Sequence, residues 1–173
     1  EHPLWFSASD EPKSETIGFE RQNWWGPVGR EVRMLRDRAG LIDISNYARY
    51  RVTGPGAHGW LDALLANTIP STPGRTCLAP LIGKRGGIAG DFTVTCLGEG
   101  DYVMFGSGMA ERYHSRFFAA VPLPAGTTWH STTDAMAGFN IAGPRSRDIL
   151  QSLTNADLSN DAFPFFRSAR IDV

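Results

Sequence analysis

The sequence predicts an α+β fold built on antiparallel sheets, and three observations support this prediction. Strand-like runs are separated by short glycine-containing connections, helical patterns flank them, and one strand-turn-helix pattern occurs twice. The 42% hydrophobic content of the 173 residues is enough for one sizeable core. We therefore expect one domain, or part of one.

The predicted strands form a meander. Strand-like runs occupy residues 47–53, 77–82, 88–97 and 102–105, and a further strand is predicted at residues 127–133. Glycine-rich residues 83–87 join the second run to the third, and residues 98–101 join the third to the fourth. Both connections are typical of β-hairpins, so these strands are expected to pair antiparallel.

Two helices are predicted outside the repeated pattern. Regularly spaced Val and Leu residues predict an amphipathic helix over residues 27–38, whose four arginines are interpreted as a solvated face. A second helix is predicted at residues 109–118, with Ser107 as its N-cap. Residues 1–29 are rich in Pro, Trp and polar residues, which predicts an extended lead-in or linker segment.

An internal repeat organises the chain. Residues 50–55, Tyr-Arg-Val-Thr-Gly-Pro, are matched by residues 139–144, Phe-Asn-Ile-Ala-Gly-Pro. In the same register, Trp60, Leu61 and Leu64 correspond to Ile149, Leu150 and Leu153. The Gly permits a tight turn, and the Pro suits the first helical turn. Two pseudo-symmetric strand-turn-helix units are therefore predicted.

Composition argues against several classes of function. The formal net charge of −1 gives no cationic excess for nucleic acid or an anionic membrane surface. The four histidines and two cysteines lack metal-ligand spacing, and Cys77 and Cys96 are expected to be free thiols. Without a signal-peptide pattern or a long apolar run, the cytoplasm or the mitochondrial matrix is the expected location.

Two glycine motifs resemble functional motifs but are better explained by turns. Residues 54–59 match the dinucleotide pattern G-x-G-x-x-G, yet the second copy of the repeat keeps only its Gly-Pro pair. Residues 106–108 lack the first glycine of a nucleophile elbow and are interpreted as a strand-to-helix turn. A ligand close to this glycine backbone remains open as an alternative.

Asp91 is the acidic residue that stands out. It follows a glycine-rich stretch and opens a strand, where Asp is unfavourable. An acid placed against local propensity, beside glycines that leave space, indicates a functional carboxylate. The residues alone favour the alternative, an edge-strand charge or a local Asx turn.

Several segments together resemble a known family. Residues 38–45, 52–55 and 86–94 resemble, in order, the glycine cleavage system T-protein. Residues 3–6, 23–29 and 158–165 resemble the folate-binding part of dimethylglycine and sarcosine dehydrogenases. The resemblance implies a T-protein-like fold, with residues 30–173 as the N-terminal part of a folate-binding aminomethyltransferase-like domain. The chain is expected to be truncated on the C-terminal side, where residues 169–173 look like the start of a strand.

The resemblance implies a folate enzyme. It would capture a one-carbon unit from an N-methyl amine, such as dimethylglycine or sarcosine, as 5,10-methylenetetrahydrofolate. Tetrahydrofolate is the implied cofactor, and FAD is expected only in a separate upstream flavin domain. The alternatives are a non-catalytic folate-binding or docking module and a folate-dependent demethylase of another methyl donor.

The resemblance also implies site residues. Asp91 falls on the family's essential carboxylate beside the reacting folate nitrogen, Tyr47 is expected to line the pterin pocket, and Met104 and Gly106 are expected to border the folate. T-proteins commonly have two adjacent acids where this chain has Gly90 and Asp91, and an Asn where it has Gly106. The acid that holds the pterin ring in the family would lie beyond residue 173.

Overall fold

The computed structural model describes residues 5, 6 and 13–172, and these form two compact units. The first unit contains the described residues up to Ile42 together with Asn140–Leu153. The second unit contains Asp43–Phe139 and the described residues from Thr154 onward. Every residue that the sequence assigns to the candidate site lies in the second unit.

Helices and strands follow one another in mixed order along the described residues. In chain order they are α1 (Trp25–Asp37), β1 (Gly40–Asp43), β2 (Ala48–Thr53), α2 (Ala57–Leu64), β3 (Thr76–Ile82), β4 (Ile88–Gly98), β5 (Asp101–Gly106), α3 (Glu111–Ala120), β6 (Thr128–Ser131), β7 (Phe139–Ala142) and α4 (Ser146–Gln151). Short 3-10 turns occupy Gly108–Ala110 and Thr133–Ala135.

The second unit is built on a five-stranded sheet in the order β3-β4-β5-β2-β6. Every neighbouring pair in it is antiparallel, and both predicted hairpins are present. The antiparallel arrangement confirms the predicted fold class, and it also means that residues 54–59 do not lie in a parallel βαβ unit. Strands β1 and β7, which belong to the first unit except for Asp43 and Phe139, form a two-stranded sheet.

Helices α2 and α3 cover one face of the five-stranded sheet. The core contains aromatic side chains from both layers, and the ring centroids of Tyr50 and Phe118 lie 5.0 Å apart. The ring centroid of Trp60, on α2, lies 6.0 Å from the ring centroid of Phe118. Each fully buried large apolar side chain contributes about 1.5–3 kcal/mol relative to exposure, so this layer stabilises the sheet that carries the site.

Both predicted strand-turn-helix units are present. The first runs from β2 through Gly54 into α2, and the second runs from β7 through Gly143 into α4. Gly54 has a φ of 120° and Gly143 a φ of 113°, a region that favours glycine. The repeat in the sequence therefore corresponds to a repeated backbone turn.

Four local expectations were wrong. Ser107 makes no side-chain capping hydrogen bond, because its carbonyl instead accepts the Ala110 N–H within the 3-10 turn. Helix α3 consequently begins at Glu111, later than predicted. Helix α1 begins at Trp25, inside the segment expected to be extended. Residues 169–172 have no regular structure, so no strand forms there.

Some expectations fall partly outside the described residues. The lead-in segment includes residues 1–4 and 7–12, and the resemblance at residues 3–6 rests partly on them. The division of the chain at residues 29 and 30 stays a prediction.

Cys77 and Cys96 are free thiols, with Cys96 buried in the core.

Candidate functional site

Asp91 and Tyr47 lie at the same end of the five-stranded sheet. In the register of the sheet, Thr93 of β4 pairs with Phe105 of β5, which pairs with Arg49 of β2. Two residues further toward this end, the next row on the same face places Asp91 on β4 and Tyr47 just before β2. Neighbouring strands lie about 4.8 Å apart, so roughly 10 Å separates β4 from β2 where both pair with β5. The fold therefore places these two predicted residues at the same end of the sheet.

Asp91 points away from the helical layer. Successive side chains of a strand alternate between faces, and the next residue, Phe92, is buried in the core at 1% exposure. The Asp91 side chain is exposed, and it makes no hydrogen bond or ion pair with the described residues. A carboxylate held on a strand without a partner is available to a ligand.

A β-bulge precedes Asp91. Leu81 pairs with Gly90, whereas Ile82 pairs with Ile88, so Ala89 is an extra residue on β4. Bulges change the direction of the side chains that follow and are common beside active sites. This bulge fixes which side chains of β4 face the helices and which face outward.

Met104 and Gly106 lie on the strand between Asp91 and Tyr47 but face the core. The Met104 side chain is fully buried and pairs in register with Tyr50 and with Val94. A Cβ on Gly106 would lie 2.7 Å from Phe92 Cε1, which shows that this position also faces the helical layer. A ligand on the Asp91 face can therefore touch Met104 and Gly106 only through their backbone.

His114 packs beneath the site and is a residue that the sequence analysis did not single out. It lies on α3, is 1% exposed, and its Nδ1 lies 3.2 Å from the Tyr50 hydroxyl oxygen. A Cβ on Gly90 would lie 2.7 Å from His114 Nε2. The space beside Gly90 is thus filled by an imidazole and not left open for a ligand. The four-residue spacing of His114 and Phe118 is the signal that could have placed His114 on the buried face of α3.

The electrostatics connect His114 to Asp91. Burial lowers the pKa of His114, while the negative charges of Asp91 and Glu111 act in the opposite direction and raise it. Burial also raises the pKa of the Tyr50 hydroxyl far above its usual value. The group beneath the site is therefore a neutral imidazole beside a neutral phenol at neutral pH.

Tyr47 is held by the turn that leads into β2. Its N–H donates to the Ile44 carbonyl at 3.1 Å, and its side chain is 47% exposed. The backbone of Gly108 approaches the carbonyl of Asn46 so closely that a Cβ at Gly108 would collide with it. The glycine in the β5-α3 connection is therefore explained by packing against the Tyr47 turn, as the sequence interpretation of a strand-to-helix turn requires.

The described residues contain no group of three or more His, Cys, Asp or Glu side chains that could hold a metal ion. Within the same residues, no helix is long and apolar enough to cross a membrane.

Solved structures share this fold. The glycine cleavage system aminomethyltransferase T from Bartonella henselae superimposes with a TM-score of 0.67 at 21% identity, over 73% of this chain and 35% of that chain. The architecture is therefore that of a T-protein domain, as the sequence predicted.

Sequence comparison gives the family. The family model described as the GCVT N-terminal domain matches residues 1–173, and the chain belongs to this family. Mitochondrial dimethylglycine dehydrogenase from Mus musculus is 30% identical over 175 residues, covering 100% of this chain and 20% of that protein. Mitochondrial sarcosine dehydrogenase from Homo sapiens is 28% identical over 153 residues, covering 80% of this chain and 17% of that protein.

The predicted relationship to the T-protein and to the two dehydrogenases is confirmed. The chain spans about a fifth of the length of these dehydrogenases. What the complete proteins do therefore reaches this chain only as a proposal.

Proposed function

We propose that this chain supplies the Asp91 carboxylate for tetrahydrofolate-dependent transfer of a one-carbon unit from an N-methyl amine. The observation that carries the proposal is the exposed carboxylate of Asp91, which has no hydrogen-bond or ion-pair partner among the described residues and shares a sheet end with Tyr47. In a structural role, a strand carboxylate is normally paired or lies on a solvated edge strand. Asp91 pairs with Pro80 of β3, and the pairing of β4 with β5 begins only at Thr93, so Asp91 has no strand neighbour on the β5 side.

The residues present fit a folate. Tyr47 offers a half-exposed aromatic ring for the pterin, and Asp91 offers an acceptor for an amine N–H. Met104 and Gly106 border the same surface through their backbone, because their side-chain positions face the core. When bound, tetrahydrofolate would supply the nucleophilic amine nitrogens that accept the one-carbon unit.

Asp91 is suited to three tasks in this reaction. Its carboxylate can accept a hydrogen bond from the amine nitrogen and so orient that nitrogen, and it can take up and return a proton there. Its negative charge can also stabilise positive charge that develops beside it during transfer. The β-bulge at Ala89 and the packing of His114 beneath Gly90 hold the strand, so these tasks require little reorganisation.

The related proteins suggest the setting. The dimethylglycine and sarcosine dehydrogenases are oxidoreductases by name, so an upstream flavin domain that carries FAD is the proposed source of the oxidised amine. Dimethylglycine or sarcosine is the proposed substrate class. The mitochondrial matrix is the proposed location where the host has mitochondria, and the cytoplasm otherwise.

The test is tetrahydrofolate binding and 5,10-methylenetetrahydrofolate formation by the complete protein, with dimethylglycine and sarcosine as amines. We expect Asp91→Asn to lower product formation by about 10²–10⁴-fold, the range for loss of a general acid-base group. Glu99→Gln is the matched control, since Glu99 is an exposed carboxylate in the turn at the opposite end of the same sheet.

The outcomes separate the competing functions. Wild-type protein that binds tetrahydrofolate but forms no product with any N-methyl amine would contradict the amine reaction and leave the two alternatives, a folate-binding or docking module and a demethylase of another methyl donor. Normal product formation by Asp91→Asn, or an equal loss in Glu99→Gln, would contradict the role of Asp91.

A further inference from the structure

A buried arginine lies on the same face of the sheet as Asp91. Arg49, on β2, is 1% exposed, and the adjacent Tyr50 is buried in the core on the helical side. Because side chains alternate along a strand, Arg49 points to the opposite face. Through β5 it shares a row with Thr93, and this row is next to the one that contains Asp91. The cation is therefore a close neighbour of the candidate site in the register of the sheet.

Backbone carbonyl groups bind the guanidinium of Arg49. Its Nη1 donates to the carbonyl oxygens of Ser45 at 3.0 Å and Thr133 at 3.3 Å, and its Nη2 donates to that of Ile44 at 3.1 Å. Within the described part of the chain it makes no ion pair with a carboxylate. A buried charge is costly unless polar groups compensate it, and here three carbonyl dipoles do so.

Two of these carbonyls belong to the turn that carries Tyr47. The Ile44 carbonyl accepts the Tyr47 N–H at 3.1 Å and also accepts from Nη2 of Arg49. The backbone N–H of Arg49 donates to Oγ1 of Thr133 at 3.0 Å, so the same residue is bound to the segment after β6 through both backbone and side chain. Arg49 therefore joins the Tyr47 turn to that segment.

The glycine at position 138 makes room for the guanidinium. A Cβ on Gly138 would lie 2.2 Å from Nη2 and 3.3 Å from Cζ of Arg49. Gly138 also binds the turn, because its carbonyl accepts the Ile44 N–H at 2.8 Å and its N–H donates to Oγ of Ser45 at 3.0 Å. The guanidinium is thus enclosed between the turn and residue 138, and a side chain at 138 would displace it.

The ring of Tyr47 depends on this turn for its position. The side chain is 47% exposed, and it makes no hydrogen bond or ring contact with the described residues. Its place is therefore set by the backbone that carries it. A shift of about 1 Å in a group that contacts a substrate is enough to weaken its contribution severely.

We propose that Arg49 is a positioning residue of the candidate site, which acts on a bound folate through Tyr47 and not by direct contact. This inference rests on the proposed function and extends it to the group that determines where the pterin-contacting ring lies. Asp91 is on β4 and shares none of the hydrogen bonds of Arg49. Arg49 should therefore affect folate binding and not the reaction at Asp91.

A double-mutant cycle tests the coupling, with tetrahydrofolate affinity of the complete protein measured by calorimetry. Loss of an aromatic stacking contact corresponds to about a tenfold loss of affinity, so we expect this loss in Tyr47→Ala and also in Arg49→Met. In the Tyr47→Ala background, Arg49→Met should weaken binding by less than about twofold. Arg49→Lys keeps the charge but not the forked donor geometry, and its affinity should lie between those of the wild type and Arg49→Met.

Steady-state kinetics separate positioning from a loss of folded protein. With an N-methyl amine as donor, Arg49→Met should raise KM for tetrahydrofolate about tenfold and leave kcat within about twofold of the wild type. A merely structural role would instead lower kcat and the calorimetric stoichiometry, because part of the protein would be unfolded. The dissociation constant of the folded remainder would then be unchanged, which would overturn the inference.

Two further variants complete the test. Arg51→Met is the matched control, since Arg51 lies on the same strand and face but binds Asp101, and it should leave tetrahydrofolate affinity unchanged. Gly138→Ala should displace the Arg49 guanidinium and weaken binding about as much as Arg49→Met does. If Arg49→Met does not fold, the affinity of Gly138→Ala decides the question.

The outcomes distinguish this inference from the proposed function on which it rests. Unchanged affinity in Arg49→Met or in Gly138→Ala, an equal loss in Arg51→Met, or additive losses in the double variant would overturn the role of Arg49. The proposed function would still stand in those cases, because the wild type binds tetrahydrofolate. Absence of binding by the wild type would instead refute the proposed function.

Discussion

The two copies of the strand-turn-helix unit share a backbone turn but differ in burial. In the first copy, Trp60 is 3% and Leu64 9% exposed. At the matching positions of the second copy, Ile149 is 46% and Leu153 58% exposed. Both copies nevertheless turn through a Gly with a φ above 110°. The same local pattern therefore specifies the turn without specifying how deeply its helix is buried.

The physical reason lies in the range of the interactions. The turn depends on a glycine conformation and on backbone atoms nearby, whereas burial of the helix depends on what other elements cover it. Helix α2, the helix of the first copy, packs with Tyr50 and Phe118 in the core of the second unit. Substitutions at matched positions can separate these two contributions.

The turn glycines should show the largest effect, and it should be similar in both copies. A Cβ on Gly54 would collide with the carbonyl of Gly126 and lie 2.7 Å from Thr127 Cα, and one on Gly143 would lie 2.6 Å from the Arg38 carbonyl oxygen. We expect Gly54→Ala and Gly143→Ala each to lower the free energy of unfolding of its own unit by about 3–4 kcal/mol, from a positive φ and a backbone clash combined. Hydrogen exchange of the β2 and β7 amides measures each loss separately.

Gly59→Ala is the control for the turn glycines. Gly59 lies inside α2, and a methyl group added there would have no neighbouring atom within 4 Å. Alanine at this position should therefore raise helix stability by about 0.5–1 kcal/mol. If Gly143→Ala left the free energy of unfolding almost unchanged, the second turn would not require glycine as the first turn does.

The matched leucines should show a smaller and unequal effect. Leu64→Ala removes a buried side chain and should cost about 2–3 kcal/mol, near the lower end for Leu-to-Ala changes in cores. Leu153→Ala removes a largely exposed one and should cost less than about 0.5 kcal/mol. The same exchange measurement applies to both variants. Equal losses would mean that Leu153 is covered in the protein and that the difference between the copies is not real.

Much of the fold followed from the sequence because it depends on local patterns. Alternation and glycine-rich connections predicted the strands of the large sheet to within about two residues at their ends. The Ser107 cap was predicted wrongly, since a 3-10 turn through Gly108 competes with the cap and local propensity does not decide between them. The strand order, with β6 beside β2, depends on long-range pairing that no local pattern encodes.

The candidate site was predicted less completely. The family resemblance singled out Asp91 and Tyr47, and the register of the sheet places them at one end. The inward direction of Met104 follows from which face the helices cover, and this could not be known from one strand. His114 was missed because its importance comes from the register of α3 against Gly90, which is a tertiary property.

Protonation of His114 should have the smallest effect on stability. It should make the free energy of unfolding depend on pH in the unit that contains the first copy, and not in the second copy. It contacts Tyr50, whereas the matching position in the second copy, Phe139, is 61% exposed. Because burial lowers the folded-state pKa of His114, the unfolded chain takes up a proton first as the pH falls below about 6.5. Stability of the second unit should therefore be constant above that pH and decline below it, until the folded-state pKa is reached.

His114→Gln should flatten this slope, with exchange of the β2 amides measured between pH 5 and 7.5 as the readout. The Tyr50 hydroxyl contacts His114, and the negative charges of Asp91 and Glu111 raise its pKa and so oppose the effect of burial. Removing one of them in Asp91→Asn should therefore lower the pKa of His114 further, which an NMR titration of its ring protons would detect. An unchanged His114 titration in that variant would mean that Asp91 does not act on the buried layer, and that the site and the first copy are electrostatically independent.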